Sequence, residues 1–92
     1  MTEQTKRNFK AIVSDIAEGF VTVNPIFLKS FNESALKALY QTVDRKQAEV
    51  RTEAFPYHDI EMIRRRNLRL QRLYTALMVI KNYAREKRLS LR

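Results

Sequence analysis

The chain predicts an all-α fold: a small bundle of three main helices, with room for a short fourth over 25–31, and a long basic C-terminal helix. Three observations lead there. The 92 residues include one glycine and two prolines, too few to punctuate a turn-rich β protein. Hydrophobic residues make up 45% of the chain, as in packed domains rather than disordered segments. Those residues recur at spacings of three and four, which places them on helix faces. Length sets the scale: residues 1–92 make a single helical domain, with a core modest enough for partner contacts to add materially to its stability.

The first helix is expected from Gln4 to Phe20. Phe9, Ile12, Val13, Ile16, Ala17 and Phe20 share one face, and Lys6, Arg7, Lys10, Asp15 and Glu18 fall mostly off it. Gly19 loosens the end, and Val21, Thr22 and Val23 favour an extended exit. Asn24-Pro25 then pairs a good N-cap with a residue suited to the first helical position. The turn that follows, 25–31, would direct Ile26, Phe27 and Phe31 to the core. Ser30 or Asn32 caps the next helix, Glu33 to Glu53, in which Leu36, Leu39, Tyr40, Val43 and Val50 form a stripe with Gln47 in it. The residues leave open whether 25–31 and 33–53 are one helix or two.

Phe55-Pro56-Tyr57-His58 breaks the pattern, because proline disfavours helix in the residue before it. It is a packing corner, or the tight connection of a helix-turn-helix. Asp59 follows as an N-cap, with Glu61 in the first turn. The final helix, Ile60 to Lys87, would be about 42 Å long at 1.5 Å per residue. That exceeds the width of a compact three-helix domain, so part of it projects or is covered by a second subunit. On a wheel centred at Leu70, the core stripe is Ile63, Leu73, Tyr74, Leu77, Ile80 and Ala84. Leu68, Val79 and Tyr83 fall on the far side, with Ala76 close by. A helix apolar all round is buried all round, and two other substantial helices are too few to cover it. The sequence therefore predicts a homo-oligomer, most simply a homodimer, with Leu68, Val79 and Tyr83 as a protein interface. A regular coiled-coil seam does not fit, since Asn67 and Lys81, or Arg66, would point inward.

Charge is distributed unevenly. The net charge is +8, and Arg64, Arg65, Arg66, Arg69, Arg72, Lys81, Arg85, Lys87, Arg88 and Arg92 oppose only Glu86 after Met62. Earlier residues nearly cancel. Arginine, with its planar bidentate fork, predominates in this segment, as suits phosphate contact. The expected nucleic-acid-binding set is Arg64, Arg65, Arg69, Arg72, Arg85, Lys87 and Arg88, with 88–92 a flexible basic tail. Arg66, near the apolar stripe, must snorkel, reach a partner, or pair with an acid such as Asp44 or Glu53. The expected function is non-enzymatic: a small basic regulatory or accessory factor gripping the phosphate backbone of nucleic acid through its C-terminal helix. The alternative is a protein–protein adaptor or inhibitor docking the same helix on an acidic surface, such as that of a polymerase or replication protein. The bland reading is a solvated charged face.

Other classes find little support. There is no cysteine, hence no disulfide or thiolate site. His58 is the lone histidine; beside Asp59 it lacks a nucleophile or Gly-rich phosphate loop to act with. No catalytic residue, metal site or cofactor is expected. A cationic pocket of Arg51, Arg66 and Lys81 is the one enzymatic arrangement conceivable. Residues 1–10 lack the apolar core of a signal peptide, and Leu73 to Ile80 is too short to span a membrane. A cytoplasmic protein without membrane contact is expected. No zinc-finger, leucine-zipper or RNA-recognition signature is present.

Overall fold

A computed structural model of the chain describes residues 8–91. It is an all-α bundle of four helices: α1 (Phe9–Glu18), α2 (Pro25–Leu28), α3 (Glu33–Thr52) and α4 (Ile60–Glu86). The expected helical residues Gln4 to Arg7 lie outside the described segment. Every helix opens on a side-chain cap. Asn8, Asn24, Asn32 and Asp59 each accept a hydrogen bond from the amide three residues on, those of Ala11, Phe27, Ala35 and Met62, at 3.0, 2.8, 2.7 and 3.1 Å. Each such cap satisfies one of the amides that a helix start leaves without a partner, and contributes about 1 kcal/mol.

Helix α1 stops sooner than its apolar spacing suggests. Gly19 adopts φ 87°, and the chain turns as the Gly19 amide donates to the Ile16 carbonyl and that of Phe20 to Asp15. Glycine enters this left-handed region without the clash a Cβ would bring. Phe20 therefore leaves the face it was expected to extend, and is 80% exposed. Helix α2 and α3 are separate, which resolves the question the sequence left open. Leu28, rather than Ile26, goes into the core, while Ile26 faces solvent. Phe31 packs between Phe27 and Phe9, with ring centroids 5.3 and 6.4 Å away.

The core is built from Val13, Ile16 and Ala17 of α1, Leu28, and Leu36, Leu39, Val43 and Val50 of α3. Leu73, Ala76, Leu77, Ile80 and Ala84 of α4 complete it, together with Val23, Phe31 and Ala35. Gln47 is buried in the α3 stripe. Helix α4 packs against α1, α2 and α3 together, and this corrects the wheel. Its buried arc is rotated away from Leu70 toward Ala76. Tyr74, expected inside, is 55% exposed, whereas Val79 and Tyr83, expected on the far side, are half-buried against the core. The reason is tertiary. With α1 on one flank and α3 on another, the bundle covers a wider arc of α4 than a single neighbour would.

Cover is also uneven along α4. No residue from Ile60 to Arg72 is buried, and burial begins at Leu73. The molecule is correspondingly elongated, 47 × 26 × 22 Å. At its other end Arg88 takes φ 58°, and the Leu89 amide donates to the Ala84 carbonyl at 2.8 Å. That turn lays the expected tail back on the bundle as far as Leu91. Leu89 and Leu91 pack against the core, and the Ser90 amide donates to Glu33 Oε2 at 3.1 Å. Arg92 lies outside the described residues. No helix among these residues is long and apolar enough to cross a membrane.

Candidate functional site

The seven basic residues expected to meet phosphate fall into two groups at opposite ends of α4. Arg65 and Arg85 are separated by about 30 Å along the helix. In the first group, Arg64 is exposed and donates to Glu61 Oε2, one turn earlier, at 3.1 Å. Such exposed pairs are worth little and exchange readily for another anion. Arg65 is exposed and lines a small hollow of about 120 Å³ with Glu18, Met62 and Arg69.

The other two arginines of this group have internal work. Arg69 is half-buried, with Nη2 at 3.4 Å from Glu53 Oε1, and its buried Nε has no hydrogen-bond partner among the described residues. Arg72 reaches back to α1, where Nη1 donates to the Ala17 carbonyl at 3.1 Å. Its guanidinium fills the space over Gly19. This places a cation at the negative end of a helix dipole. The sequence groups Arg69 and Arg72 with the phosphate-binding residues because it gives no position for α1 or Glu53.

The second group surrounds the C-terminal end of α4. Arg85 Nη2 donates to Asn82 Oδ1 at 2.7 Å, and Arg85 and Lys81 line an open groove with Tyr40, Leu89 and Leu91. Lys87 Nζ stands 5.8 Å from the Tyr83 ring centroid, and Arg88 is exposed at its left-handed turn. Of the expected protein interface, Val79 and Tyr83 are packed on the core and Leu68 is exposed. Leu68 lies beside Gly19, Val21 and Arg72, along a groove of about 370 Å³ between α4 and the α1–α2 connection.

Arg66 has neither of its expected partners. Glu53 pairs with Arg69, and Arg66 lies over the Phe55 ring, its Cζ 5.2 Å from the centroid. The envisaged pocket of Arg51, Arg66 and Lys81 does not form, because Arg66 and Lys81 are about 22 Å apart along one helix. His58 is exposed in the α3–α4 connection. Among the described residues no group of three His, Cys, Asp or Glu side chains is placed to hold a metal ion.

Two features escaped sequence reasoning. Lys10, Arg45 and Lys46 converge with Thr42 and Glu49 on a groove of about 170 Å³ between α1 and α3. They come from segments whose charges nearly cancel, so only helix packing brings the cations together. The second is the α3–α4 corner, where the Phe55 and Tyr57 rings meet at a tilt of 51° with centroids 4.9 Å apart and Tyr57 is 77% exposed. No protein-family model matches the chain, and neither a curated protein nor a solved structure resembles it.

Proposed function

We propose that the protein is a non-enzymatic nucleic-acid-binding factor, regulatory or accessory in role, that holds the phosphate backbone through α4. The observation that carries this reading is the first half of that helix. From Ile60 to Arg72 no residue is fully buried, and Arg64 and Arg65 stand exposed on it. A helix segment that adds little to its own core while concentrating arginine is suited to an anionic partner. The phosphate-contacting set narrows from seven to five. Arg64 and Arg65 act at one end, and Arg85, Lys87 and Arg88 at the other. Arg69 and Arg72 support the fold.

Fluorescence anisotropy with labelled 20-mers over a salt series tests the proposal. Affinity should fall steeply with salt, and the Arg64→Ala, Arg65→Ala double variant should flatten the duplex slope by about 2 on logarithmic axes. Salt-insensitive binding, or none at low salt, would sink it.

A second reading has its own support. Met62 and Leu68 are exposed on the side of α4 that meets the end of α1, Met62 beside Arg65 and Leu68 beside Arg72. Apolar anchors rimmed by arginine suit an adaptor that docks on an acidic protein surface. Leu68→Asp would abolish that docking and leave nucleic-acid affinity within about twofold, allowing for one added negative charge.

A further inference from the structure

We infer that the α3–α4 corner is a stacking platform for an unpaired base, which makes single-stranded nucleic acid the preferred ligand; this rests on the nucleic-acid reading above. The argument begins with Tyr57. An aromatic ring at a loop tip normally turns inward, because its apolar face gains by leaving water. Here Pro56 separates two aromatics in a connection too short for both to reach the core. The Tyr57 amide donates to the Phe55 carbonyl at 3.0 Å, which tightens the bend. The Phe55 ring meets Tyr57 at a tilt of 51° and has the Arg66 guanidinium over it. The result is a cluster of three planar groups, guanidinium, phenyl and phenol, of which the phenol ring is largely open to solvent.

That cluster has the chemistry of a base site. Stacking on an aromatic ring accepts any base, because every base has a π-face. A duplex keeps its bases paired and stacked on one another, so only an unpaired one reaches such a ring. Arg66 has no carboxylate or carbonyl partner among the described residues, and its guanidinium lies over the Phe55 ring. The acids nearby are engaged. Glu53 pairs with Arg69, Glu61 with Arg64, and Asp59 accepts the Met62 amide. Arg64 and Arg65 lie within the first two turns of α4, close enough to hold the phosphates that flank a stacked base. Ring and cation therefore occur at one end of the molecule, in the combination by which single strands are gripped.

The test compares an unstructured mixed-sequence single-stranded 20-mer with its duplex, for the full chain, Tyr57→Ala and Tyr57→Phe, with tyrosine emission followed alongside anisotropy. Tyr57→Ala should weaken single-strand binding about tenfold and leave duplex binding unchanged. Tyr57→Phe should keep the affinity, since it keeps the ring, but lose part of the quenching that base stacking imposes on tyrosine emission. Because Tyr57 is largely exposed, neither substitution should unfold the protein, and a thermal melt checks this. If Tyr57→Ala is silent, or weakens both ligands equally while salt-sensitive binding persists, the stacking platform is wrong and the phosphate-binding reading stands. If neither ligand binds at low salt, both fall.

Discussion

At Gly19, one residue joins helix termination to the placement of an arginine. Its φ of 87° ends α1, and a Cβ built there would stand 2.9 Å from Arg72 Cζ. Arg72 in turn donates to the Ala17 carbonyl within the last turn of the same helix. A charge-assisted bond of this kind, partly sheltered from water, contributes about 2 kcal/mol. Arg72→Ala should therefore lower unfolding stability by roughly that amount in a urea titration. Gly19→Ala should cost about 1 kcal/mol from its left-handed backbone alone, and more while Arg72 occupies the space above it. The two substitutions should couple: Gly19→Ala becomes milder once Arg72 is Ala, because the colliding group is gone. Additive effects would mean that the guanidinium does not occupy this place in solution. An unchanged stability in Arg72→Ala would release that arginine for phosphate contact.

Helix α4 has two parts with different support. From Leu73 to Ala84 it is held by the core, and from Ile60 to Arg72 by its cap, its backbone bonds and half-buried stems such as Ile63 and Leu70. Local opening free energy follows buried contact. Amides of 64–72 should thus exchange with deuterium faster than those of 76–84. Asp59→Ala, which removes a cap worth about 1 kcal/mol, should accelerate the first set and leave the second unchanged. Uniform protection along the helix would show that a partner or second copy covers its first half. The helices were legible in the sequence where the signal is local. Asn24-Pro25 and Asp59 announce starts, and Asn32 was one of two candidate caps for α3. What depends on distant neighbours was not legible. The exchange of Tyr74 for Ala76 in the buried arc follows from where α1 lies, and so does the inward turn of Arg72. Tyr57 was visible only as one of two aromatics in a packing corner; its exposure follows from how that corner is filled.

For the whole molecule, the surface first assigned to the expected homodimer is in part used by the bundle itself. Two of the three anchors, Val79 and Tyr83, are used within the bundle. Among the exposed apolar residues, Met62 shares a hollow with Arg65 and Leu68 lines a groove with Arg72, both on the side of α4 toward the end of α1. A two-fold contact through that surface would set the arginines of one copy against those of the other, in a molecule of net charge +8. Repulsion of this kind is screened over about 10 Å at 0.1 M salt and 3 Å at 1 M. Self-association by this route should accordingly be weak at low salt and strengthen as salt rises. Binding to phosphate has the opposite dependence, since each contact releases counterions. Sedimentation equilibrium over the salt range used for the nucleic-acid titrations separates the two. A dimer population that grows with salt, and is lost in Leu68→Asp, would place the contact on this apolar surface. A dimer strongest at low salt would instead be held by pairing between basic and acidic side chains, and the α1–α4 surface would not be its interface.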